Sequence, residues 1–159
     1  MRKIIAVLAT GAVALLAACA PVKPGPAPNG TPFEMAVAGH ANNAREANGV
    51  PAIGWSNGLA DDAQFTVDVC ASRNQGEFDL AGCHDITGTP ENLIVYGDCD
   101  ASDARAADAI NAWLNSPGHR IFLLDQGGWP PKSAQGVGAV CDFLTGDGQP
   151  RLYIAWAGA

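Results

Sequence analysis

Asp108-Ala109-Ile110-Asn111-Ala112-Trp113-Leu114-Asn115-Ser116-Pro117-Gly118-His119-Arg120 packs a helix, its stop and a histidine into one run. Ile110, Trp113 and Leu114 share one side of a helix over 104–115, and Ser102-Asp103 caps its start. Ser116 stands before a proline, which pushes it out of helical geometry and ends that helix. Ser-Pro is also an N-cap with proline at the first helical position, so a second short helix is expected through His119 to Leu124. Near that helix start the dipole disfavours an imidazolium, and His119 is expected neutral, able to hold a metal or a polar ligand. Asp108 falls opposite Ile110 and Trp113, so periodicity alone puts it on the exposed polar face.

Upstream, Leu93 to Tyr96 is β-branched and apolar enough for a buried strand, and Glu91-Asn92 precedes it. Cys83-His84-Asp85 follows a loop-like stretch from Arg73 to Gly82. Downstream, Gly127-Gly128-Trp129-Pro130-Pro131 is a loop by its breakers. The chain then closes as a hairpin, Val137 to Phe143 and Arg151 to Trp156, around Thr145-Gly146-Asp147-Gly148. Towards the N-terminus, Phe33 to Asn48 repeats apolar residues at helical spacing and stops at Asn48-Gly49. Val50-Pro51 forces an extended exit towards Ile53 and Trp55, and Ser56-Asn57-Gly58 offers caps for a helix over Leu59 to Cys70. Helices first and strands mostly later make this an α+β domain, an antiparallel sheet covered by helices, spanning 33–159 with no second domain and no repeat.

The N-terminus has a different character. Met1-Arg2-Lys3, an apolar run from Ile4 to Leu16 and Ala17-Ala18-Cys19 follow the three-part plan of an export signal over 1–18. Leu16-Ala17-Ala18-Cys19 resembles the lipobox of bacterial lipoproteins, which implies acylation of Cys19 and anchoring to a membrane. The alternative is an ordinary cleavable signal that contains a cysteine. Residues 19–32 continue as a proline-rich tether with a polyproline-like bias. The expected location is therefore the bacterial cell envelope, with the domain lipid-anchored and facing the periplasm or the exterior. The formal charge of −7 becomes two units more negative without Arg2 and Lys3, and no Lys/Arg run exists, so nucleic acid is not an expected partner.

With Cys19 set aside, Cys70, Cys83, Cys99 and Cys141 remain, an even number suited to two disulfides in an oxidising compartment. Three pairings are possible. Cys70 with Cys83 and Cys99 with Cys141 is preferred, because the first closes a short loop and the second ties two expected strands together. A zinc site of cysteines lacks any Cys-x-x-Cys pair.

Several of these motifs together resemble the CAP superfamily (cysteine-rich secretory proteins, antigen 5, plant pathogenesis-related proteins), also called the SCP domain. Asn42, Arg45, Gly49-Val50-Pro51 and Trp55 match its first-helix pattern, with His40 one place out of register. Leu59 to Gln64 is similar to its second helix, Pro90-Glu91-Asn92-Leu93 to its Gly-Glu-Asn-Leu, Trp113 to Arg120 to its bacterial Trp-x-x-Ser-Pro-Gly-His-Arg, and Gly136-Val137-Gly138 to a later Gly-x-Gly. The resemblance covers Phe33 to Trp156 and implies a three-layer α-β-α sandwich with a central, mainly antiparallel sheet. It implies a cavity with two histidines, His84 and His119, and two acids, Glu91 and Asp108, the last standing where the family has the longer glutamate. In some relatives this set binds Zn²⁺ or another divalent cation.

Three functional classes stay open at this stage. One is a binding module for a lipid-like or protein ligand at the cell envelope or surface. Another is a metal-assisted, peptidase-like hydrolase in which Glu91 is the catalytic base on an activated water. The last is a structural surface protein whose cavity has no chemistry. Whether the protein is an enzyme is not decided by these residues.

Overall fold

The last strand carries the logic of the whole fold. Along Arg151–Gly158 (β4) every residue is buried, and the side chains divide by parity: Leu152, Ile154 and Trp156 enter one apolar core, while Tyr153, Ala155 and Ala157 enter a second. A strand buried on both faces needs helices on both sides, and that is the arrangement in the computed structural model. It describes residues 27–159 apart from 75–79, 81, 85 and 144–147, and Asn74 by its backbone alone. The expected signal segment, Cys19, most of the expected tether and most of the hairpin turn lie outside the described residues.

The elements run α1 (Pro32–Ala47), β1 (Gly54–Trp55), α2 (Asn57–Asn74), β2 (Glu91–Tyr96), α3 (Asp103–Asn115), α4 (Pro117–Leu123), β3 (Ala134–Asp142) and β4. The sheet order is β1-β3-β4-β2, antiparallel except for the short parallel pair of β1 with β3. Helices α1, α3 and α4 cover the face built on Phe33, Ile110, Trp113 and Trp156, and α2 covers the other with Ala63, Val67 and Cys70. This is the expected three-layer sandwich.

Local chemistry accounts for the boundaries. Thr31 and Glu34 form a capping box, so α1 begins at Pro32, and Gly49 (φ 74°) takes the left-handed turn after its end. The folded part therefore starts before Phe33; Asn29 already hydrogen-bonds Asn57 and Asp61 at the start of α2. Helix α2 extends beyond the expected Cys70 to Asn74. The Gly-x-Gly of β3 has a steric cause. A Cβ on Gly136 would run into the Ala60 backbone and one on Gly138 into that of Gln64, so α2 lies directly on the strand. Disulfides join Cys70 to Cys83 and Cys99 to Cys141, the preferred pairing.

Candidate functional site

At the end of the sheet where β2 starts and β4 finishes, a cleft of about 380 Å³ opens between His84 and the 88–92 segment on one side and α4 on the other. His84, Glu91, Asn92, His119, Phe122 and Trp129 line it.

His119 is held from two sides. Its Nδ1 lies 2.8 Å from Ser116 Oγ, and its main-chain carbonyl accepts from Asn92 Nδ2 at 3.1 Å. Ser116 is the N-cap by position, but its hydroxyl makes no capping bond and serves the imidazole instead, a departure from the expected side-chain cap. Burial first, and then the charge of His84, lower the His119 pKa below its ordinary value. The shift favours the neutral ring, and its causes are desolvation and a second imidazole rather than the helix dipole. Glu91, at the first position of β2, accepts from the hydroxyls of Thr66 at 2.8 Å and Thr87 at 3.4 Å.

Asp108 does not reach this cleft. It sits on α3 with its side chain 60% exposed, 3.7 Å from Arg105 Nη1, as the helical wheel alone indicates. Arg105 in turn stacks over Tyr96 at 4.1 Å and pairs with Asp98. Burial and then the Asp108 carboxylate push the Tyr96 phenol upwards. His40 is also elsewhere, bonded to Asp103 at 2.9 Å. The structure thus gathers His84, Glu91 and His119 and leaves Asp108 outside. Among the described residues, no three His, Cys, Asp or Glu side chains are grouped closely enough to hold a metal ion. Two imidazoles facing one cleft are the donors that suit zinc here, and they leave most of its coordination to other ligands.

The cleft continues into an apolar trough. Pro90, Phe122 and Trp129 belong to both; beyond them the trough, about 320 Å³, is bounded by Pro130, Pro131, Gly158, Ala159 and Lys132. Trp129 is 41% exposed and packs edge-on against Phe122 with centroids 4.9 Å apart. Lys132 does not present its charge to the trough. Its stem lies over Gly158, where a Cβ would collide with Cδ and Cε, and its ammonium donates to Phe122 O (2.6 Å) and Asp125 Oδ1 (2.9 Å). Asp125, in the left-handed region at φ 52° just after α4, also takes two hydrogen bonds from Arg45 of α1. Arg45, 1% exposed, further donates to Leu123 O and Pro51 O, so one buried network fixes the cleft wall to the first helix.

A family model described as the cysteine-rich secretory protein family, CAP, matches residues 39–127, more than half the chain. The chain belongs to the CAP family. CAP proteins are typically secreted or surface-exposed, and the two disulfides fit an extracellular location. Among solved structures, BmVAL-1 is similar with a TM-score of 0.53 at 15% identity, covering 84% of this chain and 80% of that one. An outer surface protein from Borrelia burgdorferi (TM-score 0.47, 15% identity) covers 79% of this chain and 91% of its own. A cysteine-rich secretory protein from Staphylococcus aureus (0.48, 20%) covers 80% and 39%. At such identities BmVAL-1 supports the CAP fold alone. No curated protein matches the sequence.

The sequence reading missed Thr66, Thr87, Trp129 and the Asp125–Lys132 pair. Trp129 between Gly-Gly and Pro-Pro carries a signal, a large ring on a stiff loop. The threonines carry none, because their role depends on α2 and the 86–90 segment meeting at Glu91.

Proposed function

We propose that this CAP domain is a binding module for a neutral amphipathic ligand, whose hydroxyl- or carbonyl-bearing end meets His119, His84 and Asn92 and whose apolar body lies against Phe122, Trp129 and the prolines. The observation that carries this reading is the continuity of the polar cleft with the apolar trough through Pro90, Phe122 and Trp129. A few polar groups at one end of an otherwise apolar recess is the usual chemistry of small-ligand sites. The net negative charge favours an uncharged ligand over an anionic one. Acylation at Cys19 would hold the module at the envelope, beside membrane lipids of this class.

Calorimetric titration of the protein with monolauroylglycerol, below the concentration at which it aggregates, tests the proposal. Saturable one-to-one binding is expected, weakened about tenfold each by Trp129→Ala and His119→Ala, the loss of an aromatic wall or of one good hydrogen bond. No binding, or binding indifferent to both changes, sinks it.

The placement of His84, His119 and Glu91 around one cleft favours one second reading, a divalent cation bridged by the two imidazoles with Glu91 nearby as base for a hydrolytic water. Its signature is zinc binding lost in both His84→Ala and His119→Ala, with hydrolysis of a peptide substrate abolished by Glu91→Gln and by chelation. Zinc binding indifferent to the two histidines, or hydrolysis that survives Glu91→Gln, rejects it.

A further inference from the structure

The two disulfides stand in opposite surroundings. Cys70 and Cys83 are buried in the α2-side core with Val67, Leu93 and Tyr153. Cys99 and Cys141 are half-buried, and both line a cavity of about 410 Å³ walled also by Thr31, Pro32, Phe33, Ala101, Ala139 and Leu152. This cavity lies at the other end of the sheet from the cleft: Cys141 pairs with Leu152 near the start of β4, whereas Glu91 pairs with Ala157 near its finish.

Exchange requires an external thiolate to reach a disulfide sulfur, so a sulfur sealed in a core reacts only after local unfolding, while one lining a cavity reacts in the folded protein. We propose that Cys99–Cys141 is a thiol-exchange site, opened by an uncharged dithiol while the domain stays folded. One thiolate of the dithiol attacks a sulfur of the pair, the S–S bond breaks, and the departing cysteine thiolate takes a proton. The second thiol then displaces the mixed disulfide, leaving two cysteine thiols and the reagent as its cyclic disulfide, a balanced two-electron transfer.

The hydrogen bonds on either side of the pair do not run through it. Strand β3 keeps its pairing with β4 from Gln135↔Gly158 to Asp142↔Arg151. The 98–102 connection keeps its own hydrogen bonds, Arg105 to Asp98 and Ser102 to Asp100. Charge selects the reagent. Asp98 and Asp100 flank Cys99 and Asp142 follows Cys141; Arg105 offsets Asp98, and Arg151 stands across from Asp142. The excess is acidic, and it slows anionic thiols relative to neutral ones.

The test is limited reduction of the full chain with dithiothreitol in native buffer, followed by alkylation and mass spectrometry of each cysteine. Cys99 and Cys141 are expected to be labelled at least about tenfold faster than Cys70 and Cys83, with a cooperative unfolding transition retained. At low salt 2-mercaptoethanol is expected to outpace 2-mercaptoethanesulfonate, the gap closing as salt is added. Ala101→Phe, which adds bulk to the cavity lining, is expected to slow labelling of the pair. Equal labelling of the four disulfide cysteines, earlier labelling of Cys70 and Cys83, or a rate unmoved by Ala101→Phe overturns the proposal.

Discussion

Two clusters in this protein are built from the same parts and do different things. Each joins aspartate to arginine and sets a cation over an aromatic ring. Arg45, Asp125 and Lys132 lie behind the cleft wall, with side-chain exposures of 1, 9 and 3%, and the Lys132 ammonium is 4.0 Å from the Phe122 ring centroid. Arg105, Asp98 and Asp108 lie beside Tyr96 at the far end of β2, with both carboxylates more than half exposed. Charges removed from water are committed to their partners, because losing one leaves the others uncompensated; charges in water are not. The buried set therefore holds the shape of the site, and the open set, which includes Asp108, does not.

The largest expected effect follows from breaking the buried cluster. Asp125→Ala strands Arg45 and Lys132 without their carboxylate and is expected to cost about 3–5 kcal/mol in denaturant unfolding. A loss near that of an ordinary surface change would contradict the comparison. Asp125→Asn, which keeps the shape and removes the charge, is expected to lie between wild type and Ala.

Acid should expose the same asymmetry. Burial alone would raise the Asp125 carboxyl, but hydrogen bonds from Arg45 and Lys132 and the Lys132 charge outweigh it and hold its pKa at about 2. Its folded value is thus below its unfolded one. The stability it contributes is present above the ordinary value of 3.8 and is lost as the pH falls through about 2. A pH series of melting temperatures is expected to fall across this window, and the Asp125→Asn protein to show a smaller fall there.

At the cleft, proton NMR is expected to give His119 a titration midpoint below 6.5, and His84→Gln to move it part of the way back, since burial is the larger cause and His84 the smaller. The sign for folding is that the unfolded chain takes up this proton first, so the folded state loses ground as the pH drops from 6.5 to the His119 midpoint. A midpoint at or above the ordinary value would mean the ring is not desolvated. The smallest effect is assigned to Asp108→Asn, within about 0.5 kcal/mol of wild type in stability and with no change in ligand binding. A clear loss of ligand affinity there would return Asp108 to the site.

These differences also mark what could be read from the sequence. Periodicity is local, so the helices, the β2 strand and the closing hairpin were legible, as was the stop at Ser116-Pro117. The two readings of Asp108 were in conflict: its helical wheel placed it on the open face, while the family pattern placed it with His84, Glu91 and His119. The structure follows the wheel, because the opposite side of α3, through Ala106, Ile110 and Trp113, is committed to the core. Asp125 and Lys132 were invisible for the opposite reason. A charged residue in a loop reads as solvated, and only the meeting of α1 with the end of α4 buries them. Ser116 was recognised as a helix start, but which of two acceptable partners its hydroxyl takes, a main-chain N–H or the imidazole, is decided by the packing of α4.

Binding of an amphipathic ligand requires the cleft and the trough to act as one site. The direct measurement is a two-dimensional NMR titration with monolauroylglycerol that follows the His119 ring and the Trp129 indole in the same sample. The predicted result is that both resonances move with a single shared midpoint and that Trp129→Ala shifts the His119 midpoint to higher ligand concentration. Movement of the indole alone, or two separate midpoints, would contradict a continuous amphipathic site.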